Sequence, residues 1–422
     1  MTSDGRLREA YVWTWLPGSR DPVVAGRLAD DEGRLVFNYG QTYLRRPEAI
    51  PLYLPELPLA EGVLPLLPGL NMPSCIRDGA PDAWGRRVII NGKFGLTRDH
   101  IDIGQLDELT FLLESGSDRI GSLDFQASPT AYVPRGAGPA PLEELLAAAE
   151  RVEAGIPLTP ALDQALFHGS SIGGARPKAT IAEEGRKYIA KFSSQSDVLN
   201  VVKAEFVAMR LAAAVGLDVA PVRLVKAAGR DVLLIERFDR NRSPHGETRR
   251  AMVSALTMLG LDEMLARYAS YEDLAEIIRH RFDQPAAALR ELFGRLVFNI
   301  LCGNTDDHAR NHSAFWDGKR LALTPAYDIC PQSRAGQEAS QAMLIAGENR
   351  MSQLSACLAA APSFHLDDED TAAIIESQIV TVRAKWHDVC EEASLSAVDR
   401  IAFWGRQFMN PFAFIGTDFE PR

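Results

Sequence analysis

Asn304-Thr305-Asp306-Asp307-His308-Ala309-Arg310-Asn311, followed by Leu323-Thr324-Pro325-Ala326-Tyr327-Asp328, decides how this chain is read. An aspartate stands five residues before an asparagine, and a second aspartate ends a short apolar run downstream. That order suits phosphoryl transfer from a metal-bound nucleotide. Asp306 can hold an acceptor hydroxyl, while Asn311 and Asp328 can ligate Mg2+, a hard cation that takes oxygen ligands. A capped helix terminus would explain one of these acids, but poorly explains three oxygen ligands in series. His308 is read as a structural hydrogen-bonding group close to the nucleotide, and Asp307 and His312 as surface residues.

Working upstream, Ser170-Ser-Ile-Gly-Gly-Ala-Arg-Pro-Lys178 is a small-residue loop leading into a strand. Glycines let backbone N–H groups approach phosphate oxygens, and Arg176 and Lys178 add positive charge. Taken alone, a tight surface turn is the simpler account, since the segment is neither a Walker A motif nor a Gly-x-Gly-x-x-Gly fingerprint. Lys191 closes the apolar strand Tyr188-Ile189-Ala190. A strand-end lysine ordinarily reaches solvent. Here it can instead meet nucleotide phosphates and pair with Glu205 of the following helix, whose simpler reading is a solvated charge. Glu236-Arg237-Phe238-Asp239 leaves the strand Val232–Ile235 before a polar loop, as a hinge whose backbone meets an adenine edge would.

The whole chain sets outer limits. Its 422 residues, 46% hydrophobic and 24% charged, have the composition of an ordinary globular protein. The leucine-rich stretch 51–70 is cut by prolines, and Met1-Thr-Ser-Asp-Gly-Arg lacks the apolar core of a signal peptide, so a cytoplasmic location without membrane contact is expected. Five widely spaced cysteines predict free thiols. His308 and His312 have His-x-x-x-His spacing but lack the glutamate of a zinc helix. A net charge of -11 argues against direct binding of the whole chain to nucleic acid.

Strands are expected over 9–16 and as a hairpin over 23–39, with Leu35, Phe37 and Tyr39 on one face. Helical patterns follow at 82–90 and 106–114, and the Pro/Gly-rich stretch 134–141 is the clearest linker. Hairpins over 179–192 and 220–238 flank a helix over 198–215. The strongest helix carries Leu289, Leu292, Phe293, Leu296, Val297 and Ile300 on one face and ends directly before the Asp306 motif. The expected fold is α+β: a bilobal protein-kinase-like arrangement with a β-rich N-terminal subdomain and a mostly helical C-terminal lobe. The boundary is placed at residues 155/156, giving an N-terminal subdomain over 1–155 and a kinase core with helical lobe over 156–422.

With these pieces in order, the chain resembles the HipA-like serine/threonine kinases, the toxin component of bacterial type II toxin–antitoxin modules. The resemblance is carried by Ser171–Lys178, Tyr188–Lys191, Ile235–Asp239, Asn304–Asn311 and Leu323–Asp328. It reaches the N-terminal region through 23–43 and Asp78-Gly-Ala-Pro-Asp-Ala-Trp-Gly-Arg-Arg87. It implies an ATP- and Mg2+-dependent protein kinase with Asp306 as catalytic aspartate, Asn311 and Asp328 on the metal, and Lys191 on ATP. Gly173, Gly174, Ala175, Arg176, Pro177 and Lys178 would meet the phosphates, and Glu236, Arg237 and Phe238 the adenine. Ser171 matches the serine that such kinases autophosphorylate. Arg176 stands where some members carry a glutamine. The implied partners are a protein substrate such as an aminoacyl-tRNA synthetase and a small DNA-binding antitoxin, with DNA reached only through that antitoxin. Two other functions compete: a lipid or small-molecule kinase, because Asp-x-His-x-x-Asn also suits phosphoinositide-type loops, and a non-catalytic module that docks an antitoxin.

Overall fold

Alternation in Arg34–Tyr39 turns Leu35, Phe37 and Tyr39 to one side, and all three are buried. The computed structural model describes residues 7–94, 106–136, 140–166, 174–194, 197, 199–243, 246–334 and 336–421. Strands β1 (Glu9–Thr14), β2 (Val23–Asp31), β3 (Arg34–Tyr39), β4 (Val63–Leu64) and β5 (Leu123–Gln126) form an antiparallel sheet of order β4-β3-β2-β1-β5. Strand β4 arises inside the proline-cut stretch 51–70. Gly26 is required where β2 crosses β3, because a Cβ there would lie 2.2 Å from the Asn38 carbonyl oxygen and 2.6 Å from the Phe37 ring.

A second sheet has the order β6-β7-β9-β8, formed by β6 (Lys178–Glu183), β7 (Arg186–Phe192), β8 (Val222–Ala227) and β9 (Arg230–Glu236). Helices Ala83–Phe94 and Leu142–Glu153 supply Trp84, Val88, Leu145, Leu146 and Val152 to a core shared with Ala179, Ala190, Phe192, Val232 and Leu234 of this sheet. Trp84 has no exposed surface, and its indole N–H donates to the Lys178 carbonyl at 2.9 Å. Trp84→Ala would cost about 3–5 kcal/mol by the usual scale for large buried rings. Beyond β9 the expected polar loop is a hairpin, β10 (Arg240–Ser243) with β11 (Gly246–Arg249).

By packing, the chain divides into two compact units. The first comprises Met1–Ser196, Val225–Val253 and Trp316–Lys319; the second comprises Asp197–Leu224, Ser254–Phe315 and Arg320–Arg422. The second unit is mainly helical. Its central helix, Pro285–Cys302, begins with proline at its first turn and stops at Gly303, whose φ of 73° is left-handed. Leu289, Leu292, Phe293, Leu296, Val297 and Ile300 are all buried, so the predicted stripe is the core-facing one. A Cβ at Gly303 would also sit 2.6 Å from the Gln407 carbonyl oxygen. Conformation and close packing therefore both select glycine where the helix hands over to the Asp306 loop. A short strand β12 (Met252–Ser254) precedes the central helix, and β13 (Ser313–Trp316), which follows that loop, is a sheet neighbour of β14 (Leu321–Leu323). Among the described residues, no helix is long and apolar enough to cross a membrane.

Candidate active site

The loop between Gly303 and Ser313 is held from its own backbone. The Asp306 carbonyl accepts from the His308 amide at 2.9 Å and from the Asn311 side-chain amide at 3.3 Å. This second bond matters chemically. With its nitrogen committed to the loop, Asn311 keeps its side-chain oxygen for a cation. The Asn311 amide closes a short 3-10 turn onto the His308 carbonyl at 2.8 Å. At the entrance, the Asn304 amide donates to the Asn299 carbonyl and its side chain to the Asn299 side-chain oxygen, at 2.9 and 3.0 Å.

Asp328 reaches the same region from β14. Arg295, 3% exposed, extends from the central helix to the carbonyls of Thr324 and Asp218 at 2.8 and 3.3 Å, with Glu291 at 2.7 Å from its Nε. The Tyr327 hydroxyl donates to the Arg310 carbonyl at 2.8 Å. Asp328 itself has φ 59°, a left-handed conformation that non-glycine residues adopt at a cost of order 1 kcal/mol. Aspartate is among the residues that tolerate it best.

Electrostatics links Asp306 to Asp328. Burial raises the Asp306 carboxyl above its ordinary value, His308 opposes this, and the carboxylates of Asp328 and Asp307 raise it further. Carboxylates drawn together in this way favour a nearby cation or a shared proton. An oxygen-only set of one amide and two acids fits Mg2+, which usually takes only one or two protein carboxylates. The Nδ1 atom of His308 is buried without a hydrogen-bond partner among the described residues.

Asp307 and His312 require a correction. Both are 2% exposed, not surface residues. The Asp307 carboxylate takes the Tyr271 hydroxyl on one oxygen and His312 Nε2, at 2.9 Å, on the other. Glu205 is likewise 2% exposed on the helix Val201–Ala214, which rules out its reading as a solvated charge.

In the first unit, Lys178 and Lys191 are opposite one another in the β6–β7 register and are 4% and 8% exposed. The register puts both lysines on one face of the sheet. Gly174 has φ 102°, and a Cβ there would fall 2.0 Å from Lys178 Nζ, so the lysine folds back onto the loop preceding its own strand. The Trp84 amide donates to the Gly174 carbonyl at 3.3 Å, fixing that loop to the Ala83–Phe94 helix. Ala175 is exposed, Arg176 half-buried and Pro177 buried. Ser171 and Gly173 lie outside the described residues.

The segment leaving β9 holds a network that sequence reasoning missed. Arg237 grips Asp239 with two nitrogens, at 3.0 and 2.8 Å, and donates to the carbonyls of Asp118 and Arg119. Arg240 bonds Asp239 at 2.7 Å and Asp118 at 2.9 Å, and the Gly121 amide donates to Asp239 at 2.8 Å. Burial alone would raise the Asp239 carboxyl, but Arg237 and Arg240 bring it down to about 2. The Arg237 amide is also spent, donating to the Lys187 carbonyl at 2.9 Å. Neither the side chain nor the amide of Arg237 is therefore left for adenine, and a nucleotide would have to use carbonyls or the neighbouring residues of this segment. Glu236 pairs with Arg186 at 2.8 Å, and Phe238 is half-buried. The charge alternation Arg237-Phe-Asp-Arg240 was the available signal, but its partners lie more than a hundred residues upstream.

Comparison with known proteins identifies the family. The HipA N-terminal domain matches residues 19–126, and the HipA-like C-terminal domain matches residues 170–386. Y4mE of Sinorhizobium fredii is 28% identical over 346 residues, 76% of this chain and 77% of that one. The serine/threonine-protein kinase toxin HipA of Shewanella oneidensis is 28% identical over 187 residues, 38% of this chain and 42% of that protein. A chain of the solved Shewanella oneidensis toxin–antitoxin complex of HipA, HipB and operator DNA superposes with a TM-score of 0.66 at 20% identity, covering 93% of each chain. That likeness establishes a shared α+β fold. Together with the two domain matches, it makes this chain a member of the HipA-like family.

Proposed function

We propose that the chain is a cytoplasmic, ATP-dependent serine/threonine protein kinase acting as the toxin of a toxin–antitoxin pair, with residues 1–155 as its N-terminal subdomain and 156–422 as its kinase core. The observation that carries this reading is the oxygen set of Asp306, Asn311 and Asp328, with the Asn311 nitrogen tied to the Asp306 carbonyl. Mg2+ held by Asn311 and Asp328 would neutralise phosphate charge and orient the transferred group. Asp306 would take the proton of the acceptor hydroxyl as its oxygen bonds to the γ-phosphorus and the bond to the ADP oxygen breaks. Its raised carboxyl suits a proton acceptor that must remain close to other acids. Lys178 and Lys191, with the loop 173–178, would hold the phosphates, and His308 would sit near them. Backbone of Glu236, Arg237 and Phe238 would border the adenine.

The wider biology is proposed from the kinship. The solved Shewanella oneidensis complex of HipA, HipB and operator DNA supports an antitoxin partner and indirect contact with DNA. A translation component such as an aminoacyl-tRNA synthetase is the proposed substrate. Ser171 is the proposed autophosphorylation site. A phosphoryl group there would add a charge of about -1.5 to -2 beside the phosphate loop and repel ATP. The test is incubation of the protein with γ-labelled ATP and cell extract, followed by phosphoproteomics against Asp306→Ala. Labelled protein, absent with the variant, supports the proposal; label confined to lipid or small molecules would reassign the acceptor.

A further inference from the structure

Flanking the proposed catalytic residues is a buried cluster that the reaction does not itself use. Tyr271 opens the helix Tyr271–Arg281, where Ser270 caps the first turn and the Tyr271 amide donates to the Leu344 carbonyl at 2.9 Å. The Tyr271 side chain is fully buried, and its hydroxyl donates to Asp307 Oδ2. His312 Nε2 lies 2.9 Å from Asp307 Oδ1 and 3.1 Å from the Tyr271 oxygen, and the two rings meet edge-on with centroids 5.4 Å apart. His312 is held by its backbone too, its carbonyl accepting from the Ala255 amide at 2.7 Å.

The placement in sequence gives this cluster its significance. Asp307 follows Asp306 directly, and His312 follows Asn311 directly. One carboxylate therefore ties together the two ends of the loop that carries the proposed base and the proposed metal-binding amide, and anchors both to a helix outside the loop. Among the described residues, the other side-chain bond across the loop is the 3.3 Å contact from Asn311 to the Asp306 carbonyl, at the long end of the hydrogen-bond range.

We infer that Tyr271, Asp307 and His312 are positioning residues that set the separation between Asp306 and Asn311. The inference rests on the kinase reading and deepens it. A base misplaced by about 1 Å loses on the order of 100-fold in rate, because near-attack geometry is what the site supplies in this reaction. Removing the carboxylate should not unfold the loop, since the Tyr271 hydroxyl and His312 are already within 3.1 Å and can bond each other.

The test compares Asp307→Ala, Asp307→Asn and Tyr271→Phe in the full chain, measuring label transfer from γ-labelled Mg-ATP to the chain itself and to extract protein. Asp307→Ala should lower kcat about 100-fold while KM for Mg-ATP rises less than about threefold and cooperative melting persists. Asparagine keeps an oxygen for His312 and offers an N–H to the tyrosine oxygen, so Asp307→Asn should recover most of the rate. Tyr271→Phe, which deletes a single oxygen, should lower kcat about tenfold and carries the test if the alanine variant fails to fold. Wild-type kcat in both Asp307→Ala and Tyr271→Phe overturns the inference, as does an Asp307→Asn variant that binds Mg-ATP but is as slow as Asp307→Ala. If the wild-type chain transfers no label at all, the kinase reading falls as well, a result separable from the others.

Discussion

Two polar segments, the exit from β9 at Glu236–Arg240 and the loop Asn304–Asn311, look alike as strings of charged and amide residues, yet the structure treats them oppositely. In the first, every charged group is spent on another. Arg237, Asp239 and Arg240 are closed into a network with Asp118 and the 119–121 backbone, with 0%, 2% and 3% of their side-chain surfaces exposed. In the second, a buried anchor of Asp307 and His312 leaves Asp306 open to solvent, its carboxyl raised by partial desolvation and by neighbouring acids. A saturated network orders a fold, whereas unsaturated oxygens on a fixed frame can bind a cation and accept a proton. The contrast separates structural charge from chemical charge more cleanly than residue type does.

The comparison can be broken most forcefully at Asp306. Asp306→Ala should lower phosphoryl transfer about 1000-fold, within the usual range for a lost general base, and leave the thermal midpoint within a few degrees. An equal fall in stability would place Asp306 with the saturated groups. Arg237→Ala should do the reverse, destabilising the fold by about 3–5 kcal/mol through the uncompensated Asp239 and Asp118 carboxylates. Denaturant titration measures this, and a loss below about 1 kcal/mol would show that the network contributes little.

Acid should find the same network. Asp239 is held at about 2 against an ordinary 3.8, so its stabilisation is present above roughly pH 4 and disappears as pH falls through 2. The lowered value corresponds to about 2 kcal/mol, and Asp239→Asn should flatten that part of the stability–pH curve. An unchanged curve contradicts the assignment. The smallest effect belongs to the exposed pair Arg310–Glu263, 2.9 Å apart on the outer side of the loop. Glu263→Ala should change stability by about 0–1 kcal/mol. A tenfold change in transfer rate would instead make that ion pair part of the catalytic frame.

Much of the fold was legible because it rests on periodicity. The alternation through Leu35, Phe37 and Tyr39, the helical stripe from Leu289 to Ile300, and the hairpin over 23–39 each follow from local rules. What escaped was local polarity serving distant partners. Asp307 and His312 sit in a loop without periodicity, and burial there depends on Tyr271, 36 and 41 residues away. The Arg237 network is closed by Asp118, a separation of 119 residues that no window along the chain can see. The hairpin β10–β11 was hidden for a different reason: its strands, Arg240–Ser243 and Gly246–Arg249, carry charge on one face and only small polar residues or glycine on the other, so they show no apolar alternation.

The central claim is that Asp306 acts on the acceptor while Asn311 and Asp328 hold the metal. Calorimetric titration with ATP, in the presence and absence of Mg2+, tests it on the wild-type chain, Asp306→Ala and Asp328→Ala. Wild type and Asp306→Ala should bind ATP with similar, Mg2+-enhanced affinity, and Asp328→Ala should lose that enhancement. Mg2+-independent binding in all three, or a Mg2+ enhancement lost in Asp306→Ala but kept in Asp328→Ala, would contradict the assignment.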